Sequence, residues 1–227
     1  MDRPEPSGPG RPSVTRLDIH SDVVCPWCYL GTANLLKALA ERPDGHPFAI
    51  RWHPFQLDPT IPPEGLDRAA YMRAKFGDDG RIEAAHARLT AMGREAGIVF
   101  RFDRIARAPN TLDAHRLIRW AEPLALQTLT ATVLFRRYFE DGEDISVKAV
   151  LVAAAEEAGL DAAAIGRLLA GDADRAEVRA EARAAAELGI TGVPTFIVGG
   201  RYAVSGAQPP EVWTRLMGEL DAAVSQP

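Results

Sequence analysis

The sequence has only two cysteines in 227 residues, too few for a chain held together by disulfides in the manner of small secreted scaffolds. It also has no surplus of positive charge. Against 26 Lys and Arg stand 31 Asp and Glu, giving a formal charge of −5 and a pI near 5.6, which argues against nucleic acid or an anionic membrane as the main partner. No apolar run approaches the roughly 20 residues that span a bilayer. The opening MDRPEPSGPGRPSV carries Asp2, Glu5 and four prolines but no apolar run that could serve as a signal-peptide core. Residues 1–13 therefore read as a disordered tail, and the expected compartment is the cytoplasm. A second C-x-x-C and an H-x-x-x-H are both missing, so a zinc site built on the cysteines with His20 or His53 would be short of ligands, and no metal is expected.

What remains is an ordinary globular composition, 47% AVILMFWYC with 25% charged residues and a mean hydropathy of −0.11, in a chain long enough for one domain with an insertion or for two small domains. The two cysteines lie together in VVCPWCYLG (23–31), as Cys25 and Cys28. In a reducing compartment such a pair points to catalysis or metal binding more than to a structural bridge. The bland alternative is two inert buried thiols.

The segment TRLDIHSDVV (15–24) alternates apolar and polar residues and then turns apolar, as a strand entering a core does. From Pro26 to Glu41, Leu30, Ala33, Leu36, Leu39 and Ala40 recur at helical spacing, and Pro26 suits a first helical turn. Cys25 is thus expected at or just before a helix N-terminus. FAIRWHPF (48–55) reads as a second strand, parallel to the first. From Leu66 to Leu188 the signals are almost all helical, with one stripe of Ile82, Ala85, Leu89, Met92 and Ala96, and another of Val178, Ala182, Ala185 and Leu188. Ser146 is expected to cap a helix ending at Gly159. VPTFIVGGRYAV then reads as two strands joined by the two-residue turn Gly199-Gly200. A last helix has Pro209 and Pro210 in its first turn and Val212, Leu216 and Leu220 on one face. The expected architecture is α/β, split as 14–62 and 189–222 around a helical insertion at 63–188, because neither flanking piece has strands enough for a sheet.

SDVVCPWCYLG, PNTLDAHRLIRWA (109–121) and GITGVPTFIVGG (189–200) together resemble the DsbA family of thioredoxin-fold oxidoreductases, of the FrnE type, over about Thr15 to Leu220. The resemblance implies a thioredoxin-like fold interrupted by a helical domain and a thiol–disulfide oxidoreductase or isomerase. It implies a cis bond at Val193-Pro194 facing the cysteines, with the Val193 backbone open to a peptide or to glutathione. Pro26, Trp27, Val193, Pro194 and Thr195 would contact substrate. Cys25 would be the exposed nucleophile, and Cys28, one turn inward and more buried, would resolve the mixed disulfide. Strongly oxidising relatives often have a histidine between the cysteines, a charge that Trp27 does not supply. The buried carboxylate often found six positions before the first cysteine is replaced here by Ile19. Asp22 and His20 are the candidates for proton transfer, with Asp18 nearby.

No bound cofactor is expected beyond the redox-active pair, with glutathione a candidate co-substrate. The expected partners are a thiol- or disulfide-bearing protein or small molecule and a recycling partner; the oligomeric state is left open. Two other functions compete. One is a glutathione-dependent transferase or isomerase of the kappa-class or 2-hydroxychromene-2-carboxylate isomerase kind, which usually has serine in place of Cys25 and a Ser-Asp pair where this chain has Ala207-Gln208. The other is a peptide-binding module acting as a chaperone. His115, Asn110, Trp120 and FRRYF (135–139) read as structural, with Arg136 and Arg137 a solvated face.

Overall fold

The computed structural model describes residues 14–42, 45–77 and 80–224, so the tail expected over 1–13 lies outside the described residues. The chain runs through β1 (Thr15–Ser21), α1 (Pro26–Ala40) and β2 (Phe48–Pro54), then β3 (Leu66–Asp67), α2 (Arg68–Phe76), α3 (Arg81–Glu95) and β4 (Arg107–Ala108). Next come α4 (Leu112–Trp120), α5 (Gln127–Arg136), α6 (Lys148–Glu157), α7 (Ala162–Ala170) and α8 (Arg175–Glu187). The chain closes with β5 (Thr195–Val198), β6 (Tyr202–Ser205) and α9 (Pro210–Val224).

Four strands form one sheet in the order β2-β1-β5-β6. β1 is central and buried from Leu17 onward, as a strand covered on both faces must be. It pairs in parallel with β2, setting Ile19 opposite Trp52, and antiparallel with β5, setting Ile19 opposite Phe196. The first and last thirds of the chain therefore share one sheet. α1 and α9 pack side by side, and Trp213 of α9, fully buried, meets Phe196 edge to face at 4.8 Å between ring centroids. The outer edge of β2 is covered by α5: Gln127 Oε1 accepts the Trp52 backbone N–H at 3.1 Å, and the Trp52 indole donates to Thr128 Oγ1 at 3.0 Å. That cover satisfies a donor that an edge strand leaves open.

Several details depart from the sequence expectations. Ser146 does not cap α6; its hydroxyl donates to Asp144 Oδ1 at 2.6 Å, a local turn that competes with capping, and Val147 takes the cap position. The β5–β6 loop has three residues, since Val198 pairs with Tyr202. Gly199 and Gly200, at φ 59 and 69, make the turn and Arg201 is the extra residue. α9 begins at Pro210, so Pro209 precedes it. Its buried positions are Trp213 and Met217, with Val212, Leu216 and Leu220 half-buried beside them. Leu188 lies beyond α8 and is exposed. The stretch read as almost all helical contains the two-residue ladder of β3 with β4. In FRRYF, Phe135, Tyr138 and Phe139 are buried as expected, and both arginines share Glu157.

Candidate active site

Cys25 is the residue that starts α1. Its backbone is extended, at φ −91 and ψ 112, and Pro26 follows where a helix needs no N–H. The Cys25 N–H donates to Asp22 O at 3.0 Å, and its carbonyl accepts from Cys28 and Tyr29 at 3.0 and 3.2 Å. These bonds close the first turn and put the positive end of the α1 dipole at the Cys25 sulfur. The thiol donates to Val193 O at 3.7 Å, across a sequence separation of 168 residues. The Val193-Pro194 bond is cis.

Close packing joins these parts. A Cβ on Gly31 of α1 would stand 3.1 Å from Pro194 Cγ and 3.2 Å from Ala207 Cα, so glycine at this position lets the helix approach the proline loop. Gly206 N–H donates to Pro194 O at 2.8 Å, and Asn34 of α1 donates to Gln208 O at 3.0 Å. Thr195 is buried, and its hydroxyl donates to Gly192 O at 2.8 Å.

Both cysteines are free thiols. Cys28 is fully buried, as expected. Cys25 is only 4% exposed, which corrects the expectation of an exposed nucleophile: Val193 stands against the sulfur, and access comes through a cavity instead. That cavity measures about 580 Å³ and is lined by Cys25, Pro26, Trp27 and Val193 on one side and by residues of α2 and α3 on the other. Trp27 is half-buried, with the Arg88 guanidinium 5.7 Å from its ring centroid. Ile82, Ala85 and Leu89, read in sequence as an apolar stripe, form part of the far wall.

The Cys28 thiol is raised well above the ordinary cysteine value. Burial is the main cause, and its hydrogen bond and charge interaction with Cys25 add to it. The Ser21 hydroxyl and the Asp22 backbone work the other way. Cys28 thus keeps its proton until something takes it. Asp22 lines the cavity and is 1% exposed. Its Oδ2 accepts the Leu57 N–H at 2.8 Å, while Oδ1 makes no hydrogen bond and lies 3.3 Å from Nε2 of His115, a ring nitrogen that is also 3.0 Å from Phe55 O. Read in sequence as structural, His115 is brought beside the candidate proton-transfer carboxylate by α4. No local sequence signal joins two residues so far apart. Asn110 holds the start of α4, accepting from Leu112 N–H at 3.0 Å.

His20, the other proton-transfer candidate, does not line the cavity. It stacks on His53 with centroids 4.8 Å apart. Burial, and then the charge of His53, push it down to about 4, and its Nδ1 has no partner. His53 goes the opposite way. Burial lowers it, but hydrogen bonds to Glu181 of α8 at 2.8 Å and to Asp18 at 2.7 Å outweigh burial and raise it. Asp18 is held below the carboxylate range, because the hydrogen bonds of Arg16 and His53 outweigh its burial. This cluster ties the sheet to α8. Among the described residues no group of three or more His, Cys, Asp and Glu could hold a metal ion, and no helix is long and apolar enough to cross a membrane.

With this geometry in hand, comparison with known proteins is informative. A family model described as DSBA-like thioredoxin domain matches residues 16–217. A probable DsbA oxidoreductase of Streptomyces coelicolor superposes with a TM-score of 0.81 at 35% identity, over 94% of this chain and 92% of that one. The cytosolic disulfide reductase DsbM of Pseudomonas aeruginosa, solved with glutathione, gives 0.65 at 21% identity, over 93% and 100%. A 2-hydroxychromene-2-carboxylate isomerase gives 0.67 at 19%, over 93% and 100%. At these last two identities the likeness shows the fold alone. The Bacillus subtilis protein YwbO is 26% identical over 210 residues, 91% of this chain and 97% of its own length.

Proposed function

The chain belongs to the DSBA-like thioredoxin domain family, whose match spans both cysteines and Pro194, and from that premise we propose that it is a thiol–disulfide oxidoreductase or isomerase working through Cys25 and Cys28. The observation that carries this reading is the asymmetry of the pair: Cys25 caps a helix and opens on a cavity, while Cys28 sits fully buried behind it.

In the reducing direction the Cys25 thiolate attacks a substrate sulfur, the substrate S–S bond breaks, and the leaving sulfur departs as a thiolate that takes up a proton. Cys28 then loses its proton, attacks Cys25, and releases the second substrate sulfur; the pair is oxidised by two electrons and the substrate reduced by two. Ser21 and the Asp22 backbone are the groups that favour the Cys28 thiolate, and the Asp22 carboxylate is the proton acceptor in this scheme, with His20 outside it. Val193, Pro194, Thr195, Pro26 and Trp27 are assigned to substrate contact. Residues 14–62 and 189–222 act as the thioredoxin-like domain, and 63–188 as a helical insertion that supplies the far cavity wall. The compartment is the cytoplasm, and glutathione is the co-substrate or recycling thiol.

The test equilibrates the protein across mixtures of reduced and oxidised glutathione, alkylates free thiols and reads the masses. A cooperative two-thiol transition is expected. Its midpoint sets the direction, near about −270 mV for a reductant and about −180 to −120 mV for an isomerase or oxidant. A pair that never closes, with Cys25 free or carrying one glutathione, sinks the dithiol mechanism and puts the glutathione-dependent transferase or isomerase in its place.

A further inference from the structure

The cavity wall opposite Cys25 holds a cation that disulfide exchange does not use. Arg68 opens α2, and its backbone N–H donates to Ala106 O at 3.0 Å, which fixes the start of the helix beside β4. The guanidinium lines the cavity. It lies 3.4 Å from His86 Nε2 and 6.0 Å from the centroid of the Phe102 ring, and it interacts with the Tyr138 hydroxyl. All three neighbours are neutral. Burial, and then the charge of Arg68, hold His86 below the ordinary histidine value, while burial raises Tyr138.

Among the described residues no carboxylate pairs with Arg68. The two acids in the cavity lining are engaged elsewhere. Asp58 accepts from Thr60 and Tyr71 and lies 3.8 Å from Lys75, and Asp22 holds the Leu57 N–H. A half-buried guanidinium with neutral partners has lost water without gaining a counter-charge. An arriving oxyanion supplies one, in the two-pronged geometry that a guanidinium favours.

Two other cations line the space, Lys75, which is held by Asp58 and Tyr71, and Arg81, and between them the wall is apolar. Met72 and Phe76 of α2 and Ile82, Ala85 and Leu89 of α3 face the space, and the floor reaches Phe139, which is 2% exposed. The volume suits a small molecule. A polypeptide strand paired at Val193 would leave this depth unfilled.

We infer that the substrate is a small amphipathic acid: an apolar body lying along α2 and α3, one carboxylate or comparable oxyacid on Arg68, and a thiol or disulfide presented to Cys25. The inference rests on the oxidoreductase reading for the last of these and on the cavity alone for the other two.

The test uses dihydrolipoate and dihydrolipoamide, dithiols that differ only in charge at the far end, as probes of the oxidised protein. One probe thiolate attacks the Cys25 sulfur, the Cys25–Cys28 bond breaks, and Cys28 leaves and takes up a proton. The second probe thiolate then displaces Cys25, so the probe closes to its cyclic disulfide and loses the two electrons that the protein gains. The second-order rate constant for this single reduction of the oxidised protein should be about tenfold higher for the acid than for the amide, the size of one charge-assisted hydrogen bond. That ratio should collapse in Arg68→Met and persist in Arg68→Lys. Equal rates for acid and amide, or a ratio that survives Arg68→Met, overturn the inference and leave the redox reading standing.

Binding of octanoate against octanamide, by calorimetry on the reduced full chain, separates the two readings. If octanoate binds, Arg68→Met abolishes it, and neither dithiol exchanges, the acid site stands and the redox reading falls. Should Arg68→Met fail to fold, Ile82→Asp on the half-buried wall should weaken octanoate far more than octanamide. An equal effect on both overturns the acid site.

Discussion

The two sides of the cavity are built in contrasting ways. On the sheet side Cys28, Phe196 and Trp213 are fully buried, Gly31 is pressed against Pro194, and Cys25 is bonded to Val193 O. On the helical side α2 has no buried residue, and α3 buries only Leu89 and Gly93. Side chains packed on every face have few rearrangements open to them, whereas α2 and α3 have solvent or the cavity on most of theirs. On the proposed reading the close-packed side holds the sulfur positions for the reaction, and the looser side selects the substrate.

The largest effect should come from breaking the packed side chemically. Cys28→Ser should trap a covalent adduct on Cys25 and cut multiple turnover on the order of a hundredfold or more, read by mass spectrometry and steady-state rates. An unchanged turnover with no adduct would show that the pair does not act as a unit.

Next, the two ends of α3 should answer differently. Leu89→Ala at the buried end, 2% exposed, should cost about 2–4 kcal/mol in denaturant unfolding, while Ile82→Ala near the half-open start should cost under about 1 kcal/mol and act on ligand affinity instead. Equal losses would erase the distinction between wall and core.

A third test compares the stacked imidazoles. His20 has a folded value depressed from 6.5 to about 4, so the unfolded chain binds its proton first as pH falls through that window, and stability drops. His20→Phe should remove on the order of 2 kcal/mol of that acid sensitivity. His53, raised by Glu181 and Asp18, contributes stability below the ordinary histidine value and loses it as pH rises through its raised one. Asp18, lowered, contributes above the ordinary carboxylate value and loses it as pH falls. Melting curves at several pH values check all three signs. Gly31→Ala should cost about 1–2 kcal/mol of overpacking against Pro194, with a change in exchange rate disproportionate to the lost stability.

The sequence was most informative where function depends on local spacing. C-x-x-C with Pro26 at a helix start, and Val193-Pro194 opening a strand, are short-range patterns, and the sheet and the cysteine geometry follow them. The helical side was read with the right period and without its surroundings. The Ile82–Leu89 stripe is apolar on one face, but periodicity says only that a face is apolar, not whether it meets core or cavity. His115 beside Asp22 and Gln127 on the Trp52 N–H depend on how α4 and α5 dock, which no local pattern encodes. The neutral surroundings of Arg68 likewise come from the packing of α2 against α3, Phe102 and Tyr138.

The sequence separation of 168 between Cys25 and Val193 also sets a schedule. A ribosome working at roughly 5–20 residues per second delivers the cysteines about ten to thirty seconds before the carbonyl that faces them. During that interval α1 lacks β5 and α9, and the two thiols meet the cell as those of any unfinished chain. On the proposed reading the protein begins its life as a potential client of its own chemistry, and its site is complete only when its last strands close the sheet.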